Sequence, residues 1–136
     1  MTSPDDGSIG PDALADLIGL EYLELSGDGA GARVPVSDSI LQPAGLVHGG
    51  VYAALAESMC SRATWLGVRD DGMAAMGQSN NATFLRPITK GNVNAVATPR
   101  HQGRTSWVWD VEVTDDDGRL CALVRMTVAV RPMPSG

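Results

Sequence analysis

The chain has 136 residues, the length of one compact domain with a single hydrophobic core. Hydrophobic residues make up 43% and charged residues 19% of the sequence, which excludes a disordered chain or a collagen-like repeat. A formal net charge of −6 argues against nucleic acid and anionic membranes as partners, because both are bound by clustered cations. The 16 glycines and only 4% aromatic residues predict a core that buries little area per residue, so we expect a second subunit to complete the fold.

The cysteines and the N-terminal residues indicate a cytoplasmic protein. Cys60 and Cys121 belong to no C-x-x-C motif, which predicts neither a disulfide framework nor a zinc site and favours a reducing compartment. Residues 1–7 carry acids where a secretory signal needs cations, and no segment reaches the roughly 20 apolar residues of a membrane span. We therefore expect a cytoplasmic location, with no bound metal and no membrane partner.

The N-terminal part of the chain predicts a short helix and a strand hairpin. Residues 1–10 are polar and rich in glycine and proline, and we expect them to form a flexible leader. A proline suits the first helical turn, which places a helix at Pro11–Ile18. The alternating segments Glu21–Leu25 and Ala32–Val36 flank a glycine-rich turn at residues 26–29, so they predict a hairpin.

One long helix is predicted in the middle of the chain, from Gly50 to Leu66, because this segment is rich in alanine and free of proline. Apolar residues surround it almost completely, so we expect it to be buried. Four alternating segments follow and predict strands at 73–85, 92–100, 105–114 and 120–130. This order favours an α+β fold over residues 11–132, with an antiparallel sheet around one central helix and a short tail at 133–136.

Two glycines at the start of the central helix are the first candidate for chemistry. Gly49 and Gly50 follow His48, and their backbone N–H groups carry no side chain that would obstruct a ligand. The positive end of the helix dipole suits a carbonyl oxygen that acquires negative charge, so this turn is a candidate oxyanion hole. The alternative is that the glycines only permit a sharp turn and that His48 is a structural residue.

Glu57 is the second candidate, because it stands in an otherwise apolar helix. Arg62 is rotated by about 140° from it on an ideal helix, so the nearest cation in sequence points elsewhere. A carboxylate withdrawn from water is a candidate nucleophile or general base, and Ser61, one turn later, could orient it or hold a water. The alternative is a salt bridge from Glu57 to another element.

The spacing of these candidates predicts a dimer. Gly49 and Glu57 are separated by roughly 12 Å along one helix, whereas a reacting carbonyl needs its hydrogen-bond donor and its attacker within about 3.5 Å. Two central helices packed antiparallel across a two-fold axis would give the Gly49 amide of each copy to Glu57 of the other. We therefore expect an isologous dimer with two shared sites.

Four sequence blocks resemble one enzyme family. Residues 42–50 read Gln-Pro-Ala-Gly-Leu-Val-His-Gly-Gly and residues 54–58 read Ala-Leu-Ala-Glu-Ser. Downstream, residues 80–87 and 101–104 continue the likeness. Together they resemble the hotdog-fold acyl-CoA thioesterases, in particular the PaaI-like and 4-hydroxybenzoyl-CoA branch that uses a glutamate on the central helix. No G-x-S-x-G elbow, P-loop or H-E-x-x-H motif competes with this interpretation.

The resemblance implies a thioesterase with its reaction centre at the central helix. Glu57 would be the nucleophile or the general base, and the Gly49 N–H would polarise the thioester carbonyl. Gln42 would position the carbonyl or the water, and His48 would support the loop. Ser61 would lie near the attacking water.

The resemblance also implies how the substrate is held. Coenzyme A would be part of the substrate, with no separate cofactor, and arginine suits its phosphates. The expected substrate contacts are Asn81, Phe84, Arg86, Gly103, Arg104 and Thr105. The family implies an aryl- or medium-chain acyl group, and a homodimer that pairs into a dimer of dimers. Two other functions stay open at this point: a hotdog hydratase, and a non-catalytic module that binds acyl-CoA.

Overall fold

The computed structural model describes residues 10–134, so all but the last residue of the expected leader, residues 1–10, and the end of the expected tail lie outside the described residues. These described residues fold into one six-stranded antiparallel sheet with one long helix across it, as the sequence predicted. The elements in chain order are α1 (Ala13–Ile18), β1 (Glu21–Ser26), β2 (Gly29–Pro35), α2 (Gly49–Val68), β3 (Met73–Phe84), β4 (Asn92–Gln102), β5 (Ser106–Thr114) and β6 (Leu120–Pro132). Single 3₁₀ turns precede and follow α2.

The first helix begins later than the sequence predicted. Asp12 is the N-cap, because its side chain accepts a hydrogen bond from the Ala15 N–H at 3.1 Å. Pro11 therefore lies outside the helix rather than in its first turn. Gly19 ends α1 in the left-handed region, with a φ of 82°, which glycine adopts without steric cost.

The sheet order is β1-β2-β4-β5-β6-β3, so the strand that follows the central helix crosses to the far edge. In the described sheet, β3 pairs only with β6, and its other edge is open. Inward-facing residues of β4, β5 and β6 pack against α2, and the core includes Trp109, Val111, Val124 and Met126. This topology places β3 beside α2 at one margin of the molecule.

The central helix is buried on one side only, which corrects the expectation of a fully buried helix. Its sheet-facing residues are buried, among them Leu55, Met59 and Cys60. Its opposite side is partly open in the single chain, and Ala53 and Ala54 there are half-buried. The sequence did not predict this asymmetry, because the small residues on the open side of α2 are as apolar as residues of a buried core.

A buried hydroxyl fastens α2 to the sheet. Thr64 Oγ1 donates to the Cys60 carbonyl at 2.7 Å and accepts from Trp109 Nε1 at 2.8 Å. Both Thr64 and Trp109 are fully buried, so neither polar group has water as a substitute partner.

Replacement of Thr64 by valine is therefore expected to lower the free energy of unfolding by about 1–3 kcal/mol, because it leaves the indole N–H buried without an acceptor. The same change at Thr98, which is exposed on β4, is the control and should stay within about 0.5 kcal/mol. Urea titrations of the two variants measure the difference. Equal stabilities would show that the buried hydrogen bond contributes nothing.

Candidate active site

A groove of about 740 Å³ runs along the open side of α2. One wall is the segment Gly10–Leu14, the floor is α2, and residues from β3 close the other side. Its polar side chains come from several elements that are distant in sequence: Asp12, Glu57, Ser58, Ser61, Arg62 and Asn80. Three alanines, Ala53, Ala54 and Ala75, leave room for an apolar ligand between them.

Glu57 is exposed in this groove rather than buried in the core, which corrects the expectation of a carboxylate withdrawn from water within one chain. Its side chain lies over Gly77 of β3, where an added Cβ would come 3.4 Å from the Glu57 Cδ. Among the described residues 10–134, the Glu57 carboxylate accepts no hydrogen bond and forms no ion pair. Ser61 lines the same groove one turn along α2, as the sequence predicted.

The N-terminus of α2 presents a free backbone donor. His48 caps the helix, because its Nδ1 accepts a hydrogen bond from the Gly50 N–H at 3.0 Å. Within the described part of the chain, the N–H of Gly49 has no acceptor. Of the two candidate glycine donors, Gly49 is therefore the one that is available to a ligand.

An aromatic ring covers this donor from the side of β3. The Phe84 ring lies against the Gly49 Cα, so that an added Cβ would come within 2.6 Å of two ring carbons. The ring also packs on Tyr52, with centroids 5.7 Å apart. Burial raises the pKa of the Tyr52 phenol, which keeps it neutral. Phe84 therefore lies beside the Gly49 N–H as an exposed apolar surface.

Gln42 shapes the loop that leads into α2. Its side-chain Oε1 accepts a hydrogen bond from the Ala44 N–H, and its backbone N–H donates to the Leu46 carbonyl at 2.8 Å. The loop closes where Leu41 and Val47 form an isolated β-bridge. Gln42 is therefore bound within its own loop in the single chain, and its amide nitrogen is the part that could reach a ligand.

One chain does not bring the two reactive groups together. Gly49 and Glu57 belong to the same helix, so their backbones lie roughly 12 Å apart along its axis. Gly49 meets Phe84 at the end of β3, whereas Glu57 meets Gly77 near the middle of that strand. The separation inferred from the sequence is thus present in the structure.

Three of the residues expected to contact coenzyme A lie near the C-terminal end of α2. Gly103 and Arg104 line a shallow groove beside Gly67, near the helix C-terminus. Thr105 is next to them, and its carbonyl accepts a hydrogen bond from Arg131 at 2.7 Å. This end lies roughly 27 Å along the helix axis from Gly49.

The other expected contacts lie on or near β3. Arg86 is exposed just after β3, at the end where Phe84 packs on Gly49. Asn81 lies on the outer face of the sheet, away from α2, in a groove that also contains Asp110 and Arg125.

The outer-face groove is an ion-paired surface. Arg125 donates to both carboxylate oxygens of Asp110, at 2.8 and 3.0 Å, and this hydrogen bonding lowers the pKa of the Asp110 carboxyl. Asn81 is paired in register with Arg125 and belongs to this surface. The structure thus separates Asn81 from the groove that contains Glu57.

Sequence reasoning missed four of the six polar residues that line the groove, namely Asp12, Ser58, Arg62 and Asn80. Asn80, rather than its neighbour Asn81, faces α2 and donates from Nδ2 to the Ala53 carbonyl at 2.9 Å. The expectation of Asn81 came from the family resemblance. Strand residues alternate between the two faces, and the bulge between Gly77 and Ser79 shifts this alternation, so that Asn80 lies on the face towards α2. Asp12 and Ser58 also line the groove, and no local motif links them.

Among the described residues, no group of three or more histidine, cysteine, aspartate or glutamate side chains is placed to hold a metal ion. In the same part of the chain, no helix has the length and apolarity needed to cross a membrane.

Comparison with known proteins identifies the family. Residues 44–122 match the sequence profile of the Thioesterase superfamily. The proofreading thioesterase EntH of Cronobacter turicensis is 39% identical over 117 residues, which cover 86% of this chain and 85% of that protein.

Solved structures agree with this match. The crystal structure of a mutant thioesterase from Pseudomonas aeruginosa is 38% identical, covers 88% of this chain and 86% of its own, and superposes with a TM-score of 0.84. A Mycobacterium tuberculosis structure described as an esterase is 35% identical, covers 91% of this chain and 100% of its own, and has a TM-score of 0.87. The chain therefore belongs to the thioesterase superfamily and is a hotdog-fold thioester hydrolase.

Proposed function

We propose that the protein hydrolyses an aryl- or medium-chain acyl-CoA thioester to the free acid and coenzyme A. The observation that carries this proposal is the groove beside α2, where the Glu57 carboxylate is free of ion pairs with the described residues and lies among small apolar residues. The same helix begins with an N–H at Gly49 that has no acceptor in the described part of the chain. An attacking carboxylate and an oxyanion donor are the two groups that acyl transfer needs.

A second copy of the chain would complete the site. β3 is a 12-residue edge strand, and in the sheet of residues 10–134 one of its two edges pairs with no other strand, which favours pairing with a strand of another chain. The small residues on the open side of α2 permit close approach of a partner helix. Antiparallel packing of two such helices would bring Gly49 of the partner subunit towards Glu57. The chain's own Arg104, beside the C-terminal end of α2, would then lie towards the end of the pair where the partner's helix begins. The further pairing into a dimer of dimers stays a prediction.

In the proposed reaction, the thioester carbonyl accepts a hydrogen bond from the N–H of the partner's Gly49. As a nucleophile, Glu57 attacks the carbonyl carbon, and collapse of the tetrahedral intermediate expels the coenzyme A thiolate, which takes a proton from water. Water then cleaves the mixed anhydride and restores the carboxylate. As a general base, Glu57 instead removes a proton from a water that attacks the same carbon, with Ser61 orienting that water. Collapse of the tetrahedral intermediate breaks the C–S bond, and the expelled thiolate takes the proton back from Glu57. Both courses consume one thioester and one water, and neither needs a separate cofactor.

The state of the cysteines bears on location. Cys60 and Cys121 are buried free thiols, and burial raises the pKa of both. Free cysteines are the usual state in a reducing compartment, which supports the cytoplasm as the proposed location.

Release of free thiol from a panel of aryl- and straight-chain acyl-CoA esters tests the proposed function. We expect cleavage of at least one class, with the acid and thiol formed in equal amounts. Hydration of an enoyl-CoA without thiol release would favour a hydratase instead. Binding of acyl-CoA without either reaction would favour a non-catalytic binding module.

A further inference from the structure

The segment Gly10–Leu14, here called the N-terminal wall, bounds the groove on the side opposite β3. Its residues come from the loop before α1 and from the first turn of that helix. The wall and Glu57 line one continuous space, so a ligand that reaches the Glu57 carboxylate lies within reach of the wall.

Two hydrogen bonds hold this wall against α2. Ser58 Oγ donates to Asp12 Oδ2 at 2.8 Å, while the other oxygen of the same carboxylate caps α1. Arg62 Nη2 donates to the Gly10 carbonyl at 3.0 Å. Asp12 is therefore engaged through both oxygens, which suits a positioning residue rather than a second catalytic carboxylate. Because Ser58 follows Glu57 directly on α2, the wall is held close to the proposed reaction centre.

Leu14 is the large apolar residue of the wall. It is 56% exposed although it lines the groove, so most of its side chain is available to an occupant. Leu17, one turn along α1, is even more exposed at 77%, but it does not line the groove. The two leucines therefore form a matched pair that differs in access to the Glu57 groove.

We propose that Leu14 sets the acyl selectivity of the enzyme and that the Asp12–Ser58 hydrogen bond fixes the wall on which it stands. This inference rests on the proposed function, because it assigns the groove beside Glu57 to the acyl group. An acyl chain that extends from the carbonyl past Ala53 and Ala54 meets the wall at Leu14. A larger side chain there shortens the pocket, and a smaller one lengthens it.

The test compares acetyl-, hexanoyl-, decanoyl- and benzoyl-CoA with the variants Leu14→Trp and Leu14→Ala. In Leu14→Trp, the ratio of kcat/KM for decanoyl-CoA to that for acetyl-CoA should fall about tenfold or more, because loss of a few methylene contacts is worth that much. In Leu14→Ala, the ratio should rise. Leu17→Trp and Leu17→Ala are the controls and should leave the ratio within about twofold of wild type. An unchanged ratio in the Leu14 variants, or an equal change in the Leu17 variants, would overturn the proposal.

Ser58→Ala tests the hydrogen bond without removing the Asp12 cap of α1. If Ser58 acts through the wall, this variant should raise KM for decanoyl-CoA more than it lowers kcat, and Ser58→Thr should restore the wild-type pattern. A uniform loss of kcat for every ester, with KM unchanged, would assign Ser58 to the chemistry at Glu57 and contradict its role in the wall.

Measurements of ligand binding distinguish a failure of this inference from a failure of the proposed function. Thioether analogues of decanoyl- and acetyl-CoA cannot be cleaved, so their dissociation constants report on the pocket alone. If wild type cleaves no ester, the proposed function fails, yet the same Leu14 variants must still alter the discrimination between the two analogues. Discrimination that is identical in wild type and the Leu14 variants would overturn the assignment of the wall.

Discussion

Replacement of Glu57 by glutamine is expected to lower kcat by about 10²–10⁴-fold, with little change in folding or in subunit association. Glutamine has nearly the same shape, but it can neither attack a carbonyl as an anion nor accept a proton from water. Because the Glu57 carboxylate forms no ion pair with the described residues, its removal leaves no buried charge without a partner. Steady-state thiol release measures the loss, and a thermal melt monitors the fold.

Glu112→Gln is the matched control for this variant. Glu112 lies on β5 in the groove of the outer sheet face, on the side of the sheet opposite α2. Removal of its charge alters the net charge by the same amount as Glu57→Gln, so it corrects for any general electrostatic effect on coenzyme A binding. Activity of Glu57→Gln within a few-fold of this control would exclude both proposed roles of Glu57.

Loss of the Gly49 N–H is expected to lower kcat by about 10²–10³-fold, as for other backbone or side-chain donors to an oxyanion. Only proline removes this N–H, and it suits the first position of a helix. His48 has an extended conformation, with a ψ of 133°, which is compatible with a following proline. Any side chain at this position meets the Phe84 ring, so the comparison must be made after Phe84→Ala has removed that contact.

The informative pair is therefore Gly49→Pro and Gly49→Ala, each combined with Phe84→Ala. Both double variants carry an added Cβ next to the space left by Phe84, and they differ in the presence of the N–H. We expect kcat of the proline variant to fall by the stated factor relative to the alanine variant. Equal kcat values would show that the Gly49 N–H does not stabilise the transition state.

A mixture of the Gly49→Pro and Glu57→Gln variants tests whether the site is shared between subunits. Glu57→Gln, made in the Phe84→Ala background, is mixed and reassociated with Gly49→Pro in that background. In a heterodimer, the intact Glu57 of one chain meets the intact Gly49 of the other, so one of its two sites is functional. Random reassociation should restore about a quarter of the activity of Phe84→Ala dimers. Activity that stays at the level of the separate variants would place each site within one chain.

The sequence by itself determined the order of elements and the position of the reactive groups along the chain. Strand alternation and an alanine-rich helix are local patterns, so the sheet and α2 could be predicted from short windows. The separation of Gly49 and Glu57 follows from helix geometry alone, because both residues lie on one continuous helix. The same spacing underlies the expectation of a site shared between two subunits, which stays a prediction.

Only the tertiary structure decided which residues surround Glu57. The bulge in β3 shifts the alternation so that Asn80, rather than Asn81, faces α2. One extra residue in a strand moves all the following side chains to the opposite face of the sheet. The contact between Asp12 and Ser58 joins two helices across 46 positions of sequence, and neither residue has a local signature for it. Side chains that meet through packing carry no periodic signal. The position of the N-terminal wall and of Leu14 beside the groove therefore depends on how α1 packs on α2, which the sequence alone does not reveal.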